Sequence, residues 1–276
     1  MKKIKISNIE KYSNLFNNNN NLFEDIKWVE PIFISMTSAY NSDVNFQLTT
    51  DNDYIYNMLT SDYKFCKTFS PISIVKTRAG LETISTQLTD VMLKNFKDLT
   101  DTDNKDLKHY LHYLFLELMN NVADHAQSDG HVMAQYYPTN KKIQFAISDR
   151  GVGFLSNLKL KFNDITTEEE AIHKALKKGI TATPQKMYGQ EKNAGFGLYA
   201  MVEILKQTDG RFIIISNDTL IRYTNGLYTT KKLSDPWKGV VVAFEFDEAK
   251  IEFDMDYFKR NYLWKEIIDD KDEDFY

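Results

Sequence analysis

The sequence is short of cysteine, glycine and proline. Its one cysteine, Cys66, excludes an intramolecular disulfide framework and a multi-cysteine zinc site. No histidine is near Cys66 in sequence, so a buried thiol is expected there rather than a nucleophile. The 11 glycines and 5 prolines, set against abundant Asn and Lys, reflect compositional bias more than function. No stretch approaches the roughly 18 apolar residues of a membrane span. The N-terminus, MKKIKISNIEKYSN, lacks the apolar core of a signal peptide. A cytoplasmic protein that does not engage membranes is therefore expected. A basic stripe is also missing: the Lys pairs at 141–142, 177–178 and 231–232 are isolated, and the net charge is −5. Nucleic acid is not an expected partner.

What remains is a globular balance, 42% apolar and 26% charged over 276 residues. That length suits one large domain or two modest ones. Residues 1–27 are polar, with an Asn run at 17–21, and read as a loop or frayed terminus. WVEPIFISM (28–36) has strand composition, with Pro31 at an edge or strand start. Leu81, Ile84, Leu88, Val91, Met92 and Phe96 are spaced for a helix over 81–99. A second helix is expected over 103–127, with Leu107, Leu111, Leu114, Leu118 and Val122 as its apolar stripe. Strands follow at 131–138 and 141–149, joined through Pro138, Thr139 and Asn140. A long polar segment, 150–194, holds one short helix near 168–178. A third amphipathic helix spans 197–208, with Gly210 as a cap. Strands at 211–216 and 239–246 enclose a variable hairpin, and a last helix is expected over 254–267. This order describes an α+β protein, a two-layer sandwich with helices on one face of a mixed sheet.

Three segments carry the chemistry. In ELMNNVADH (117–125), Glu117, Asn121 and His125 fall at i, i+4 and i+8 and share one helix face, distinct from the leucine stripe. That face is either a solvated polar surface or a binding surface. In SDRGVGF (148–154), Asp149 ends an apolar strand and precedes Gly151 and Gly153. This suits a sharp turn that approaches a ligand closely, although a plain glycine turn is the simpler alternative. In NAGFGLYAMVEIL (193–205), Gly195 and Gly197 stand just before a helix, whose N-terminal N–H groups favour phosphate.

Together and in this order, E-x3-N-x3-H, D-x-G-x-G and G-x-G-L resemble the Bergerat-fold ATPases (GHKL). These include the ATP-binding domains of gyrase, heat-shock chaperones, histidine kinases and mismatch-repair ATPases. The resemblance covers about 81–250 and includes a long polar lid, about 155–194, between the two glycine boxes. It leaves residues 1–80 as an N-terminal extension of unknown role and 251–276 as a C-terminal helix and tail. The lid's composition (Thr181, Thr183, Pro184, Gly189) suggests mobility and ordering on ATP binding.

The resemblance implies ATP and Mg2+ as ligands, and it implies roles. Asn121 would hold magnesium, which takes few protein ligands. Glu117 would orient or deprotonate the attacking water. Asp149 would receive the adenine amino group over a floor of Gly151 and Gly153. Gly195, Phe196, Gly197 and Leu198 would give backbone N–H groups to the phosphates. His125 would line the phosphate side or simply cap the helix face. Three positions depart from the family pattern: Asp124 where kinase members often carry Lys or Arg, Asn193-Ala194 where glycines are common, and Val240 after Gly239 where many relatives have Gly-Thr. They leave phosphotransfer less supported than nucleotide binding.

Residues 1–100 contain no histidine, which argues against a sensor autokinase. Only a short stretch follows the last predicted strand, so the second domain of the gyrase branch is not expected. The expectation is a stand-alone histidine-kinase-like module, a slow ATPase that couples lid closure to a protein partner or a second copy. The alternative is a nucleotide-gated interaction protein or an anti-sigma-type Ser/Thr kinase.

Overall fold

The computed structural model describes residues 2–16, 23, 25–44, 50–60, 67–93, 101–180 and 197–247, the side chains of 101–106 and 207 excepted. The Asn run, Cys66, Gly195, Phe196, the second half of the lid and the last expected helix lie outside the described residues. In chain order the elements are β1 (Lys2–Ile4), a 3-10 stretch (Ile9–Phe16), β2 (Ile26–Val29), α1 (Pro31–Val44), α2 (Asp53–Thr60), β3 (Ser73–Val75), α3 (Leu81–Leu93) and α4 (Asp101–His125). Then come β4 (Gly130–Tyr137), β5 (Lys142–Asp149), α5 (Gly153–Leu158), α6 (Glu168–Ala175), α7 (Gly197–Gln207), β6 (Arg211–Thr224) and β7 (Leu227–Asp247). The class is α+β. No described helix is long and apolar enough to cross a membrane.

The main sheet has the order β3-β4-β5-β7-β6. The expectation of a mixed sheet is corrected here: every described pairing in it is antiparallel. Two hairpins impose two of the four pairings, because β4 runs straight back into β5 and β6 straight back into β7. The only described parallel pairing joins β1 to β2 in a separate small sheet.

Helices on one face alone are also not observed. Side chains alternate across the pleat, and both faces of this sheet are apolar. On one face, Ile143, Phe145 and Ile147 of β5 and Phe244 of β7 meet Leu114, Phe115 and Leu118 of α4. Phe115, Phe145 and Phe244 stack in series, with centroids 4.8 and 5.0 Å apart. On the other face, Met133, Ala146, Ile213 and Val241 meet Ile32, Phe33 and Met36 of α1. A sheet with two apolar faces needs cover on both, and the segment before residue 81 supplies the second cover. It also supplies β3, the strand beside β4.

The expected strand at 28–36 ends at Val29, and a helix begins at Pro31. Proline at the first helical position loses no hydrogen bond. The run reads as a strand because residues 31–37 are all buried, which hides the helical period.

Candidate functional site

The C-terminal half of α4 carries the first group. Its leucine stripe and Val122 are buried in the core, and Glu117, Asn121 and His125 run along the adjoining flank. Burial is the largest effect on both titratable groups of the three. It raises the Glu117 carboxyl to about 7, with Arg78 lowering it and Asp124 raising it. It lowers the His125 imidazole, which therefore favours the neutral form.

Asp149, at the end of β5, is 2% exposed. Its Oδ1 accepts from the Gly151 N–H at 2.9 Å and the Val240 N–H at 3.2 Å. Its backbone carbonyl accepts from the Trp237 indole N–H at 2.9 Å. Among the described residues, none donates a hydrogen bond to Oδ2. Burial raises this carboxyl to about 6, and the two backbone N–H groups oppose the rise.

The glycines fix the loop around it. A Cβ at Gly151 would stand 1.8 Å from the Ala126 carbonyl oxygen, which also accepts the Val152 N–H. Gly153 has φ +81°, a conformation that favours glycine, and a Cβ there would meet the Asn217 amide at 2.3 Å. A Cβ at Gly197 would lie 2.7 Å from the Glu117 Cβ, so the start of α7 packs directly on α4.

These elements enclose a cavity. Asn121, His125, Asp149, Gly153, Gly197 and Leu198 line it, together with apolar side chains such as Ile147 and Val242. Glu117 and Gly151 do not line it. Glu117 packs against Gly197, and Gly151 packs against the Ala126 carbonyl. Among the described residues no Lys or Arg lines the cavity, and no cluster of three or more His, Cys, Asp or Glu could hold a metal on its own.

The first half of the expected lid, 155–180, is built into the core rather than left loose. Ile165, Ala171, Ile172 and Leu176 are buried, and Thr167 and Glu170 form a capping box at the start of α6. Ala175 and Ile180 reach the cavity wall.

Several residues around the site carried no local signal in the sequence. The Glu168 Oε2 accepts from the Ser216 hydroxyl at 2.6 Å and the Leu155 N–H at 3.2 Å. Its Oε1 accepts from the Asn217 amide at 2.6 Å. Ser216 in turn accepts the Phe154 N–H at 3.0 Å. The first turn of α5 is thus pinned by a carboxylate on α6 and by a bulge in β6 at Ser216 and Asn217. Gly239, with φ +99°, brings β7 so close that a Cβ would stand 2.7 Å from the Asp149 Oδ1. Arg78, between β3 and α3, makes a two-pronged ion pair with Asp124, at 2.9 and 2.6 Å. A scan against protein-family models and a search of curated proteins found no match to this chain.

Proposed function

We propose that the cavity binds an adenine nucleotide and that the chain is a GHKL-type, Bergerat-fold protein, a slow ATPase that couples nucleotide binding to a protein partner or a second copy. One observation carries this reading: Asp149 is buried at an apolar cavity, with Oδ1 committed to two backbone N–H groups and Oδ2 receiving no described donor. Such a carboxylate suits a planar, mostly apolar ligand that presents one amino group. The Glu117–Asn121–His125 face and the start of α7 lie beside it, where a helix N-terminus favours phosphate.

Magnesium fits as an ion carried by the nucleotide. It would take one amide oxygen from Asn121, and so needs no carboxylate cluster. ATP supplies the phosphoanhydride bond, and Mg2+ neutralises part of its charge. Glu117, raised to about 7, has a basicity matched to accepting a proton from water near neutral pH.

A second reading has its own support. Glu117 packs against Gly197 and is not among the described residues that line the cavity. That favours a nucleotide-gated interaction protein, or a Ser/Thr kinase of a partner, with little hydrolysis of its own. Phosphate release by the wild type, compared with Glu117→Ala, separates the two readings. Release lost in the variant supports hydrolysis, and ATP binding without release in either form supports the second reading.

The nucleotide site is tested by Asp149→Asn. An amide can still accept at one atom, but it presents N–H groups to an adenine amino group. The expected loss of ATP affinity is on the order of a hundredfold. Unchanged affinity would remove the adenine anchor.

A further inference from the structure

The site face of α4 has an electrostatic problem for an anionic ligand. Asp124 follows Glu117 by seven residues, two helical turns, and so lies nearly in line with it. Two carboxylates thus share the flank that also carries Asn121 and His125. Among the described residues no Lys or Arg lines the cavity. A phosphate tail laid along this flank would meet like charge.

Arg78 answers this from a distant part of the chain. It sits in the turn between β3 and α3, 46 residues before Asp124. Its Nε donates to the Asp124 Oδ1 at 2.9 Å and its Nη2 to Oδ2 at 2.6 Å. That fork fixes the plane of the guanidinium, since two parallel N–H donors meet two oxygens. Asp124 is one turn of helix beyond Asn121, roughly 4.5 Å along the axis. The guanidinium is close enough to act on Glu117 and His125 electrostatically. Its side chain is also 45% exposed.

We infer that Arg78 is the cation that meets the ligand's phosphate tail, held over the α4 flank by Asp124. This rests on the nucleotide reading above and adds a role for the segment before residue 81. Asp124 is a positioning residue. It neutralises Arg78 when no ligand is bound, and it competes with phosphate for the same donors. Affinity should therefore depend on tail charge through Arg78, while adenine recognition stays with Asp149.

The test is a calorimetric titration of adenosine, ADP and ATP, with MgCl2 present, into wild type, Arg78→Ala, Arg78→Lys and Asp124→Asn. In Arg78→Ala, ATP affinity should fall roughly tenfold or more, ADP affinity less, and adenosine affinity not at all. The unchanged adenosine value also shows that the cavity is intact. Arg78→Lys should recover part of the loss, because a point charge replaces the fork. Asp124→Asn should tighten ATP by a few-fold and leave adenosine unchanged. If wild type binds ATP and Arg78→Ala binds it equally well, the inference is overturned. It is overturned too if adenosine and ATP weaken in equal measure, since Arg78 would then be structural. Wild-type protein that binds none of the three overturns the nucleotide reading itself, and this inference with it.

Discussion

Gly197 lies against Glu117 so closely that a Cβ on the glycine would stand 2.7 Å from the glutamate Cβ and 3.4 Å from the Asn121 amide nitrogen. Contacts of 2.7 Å between Cβ atoms do not occur, so any side chain at 197 must push α7 away from α4. Gly197→Ala should cost roughly 1–3 kcal/mol of stability and weaken ATP binding, because the helix start moves off the site face. Urea melts together with an ATP titration check both effects.

Burial holds Glu117 at about 7, well above its ordinary value of 4.5. It is protonated below that point and can act as a base only above it. If this residue activates water, phosphate release should rise with pH between about 6 and 8 and then level off. Glu117→Gln should remove the rise while ATP still binds. A flat pH profile in the wild type would assign hydrolysis to another group.

Asp149 is raised to about 6 by burial, against an ordinary 3.8. Its folded value exceeds its unfolded one, so the folded state holds an extra proton between about pH 4 and 6. Stability contributed by this group is therefore present at low pH and is lost as pH rises through that window. At pH 7.5 without nucleotide, Asp149→Asn should be more stable than wild type by roughly 1–3 kcal/mol, the pattern of a site strained for function. If the ionised form accepts the amino group of an adenine ring, as proposed, ATP affinity should fall as pH drops from 7.5 to 5.5. Thermal melts and titrations across this range measure the two trends, which have opposite signs.

Glu168 takes three donors, from Ser216, Asn217 and the Leu155 N–H, in a buried position. Glu168→Ala leaves these donors without their acceptor and unpins the start of α5. The expected cost is about 2–4 kcal/mol, with a weaker site as well. Urea unfolding of the variant, with hydrogen exchange at Phe154 and Leu155, tests whether the loss begins there.

The elements of the site were legible where periodicity was strong. The leucine stripe of α4 and the apolar strands β4 and β5 were read within a few residues of their observed bounds. The missed parts depend on contacts between distant segments. Glu168 reaches Ser216 across 48 residues and Arg78 reaches Asp124 across 46, and no local pattern announces either. The second cover of the sheet was hidden because α1 is buried nearly all round and so shows no helical stripe. The hairpin expected between 211–216 and 239–246 is longer-stranded than its sequence suggests, and it turns at Asn225 and Gly226, both with positive φ as a tight hairpin turn requires. The polar side chains flanking that turn, exposed along β7, hide how far the two strands extend.

Asp149 is proposed to read the amino group of an adenine ring. Calorimetric titration of the wild-type chain with ATP and with GTP, each with MgCl2 at pH 7.5, tests it most directly. Guanine places a carbonyl oxygen where adenine places its amino group, and a carboxylate repels it. Saturable one-to-one binding of ATP is expected, with affinity for GTP weaker by roughly tenfold or more. Absence of ATP binding, or equal binding of GTP, would contradict it.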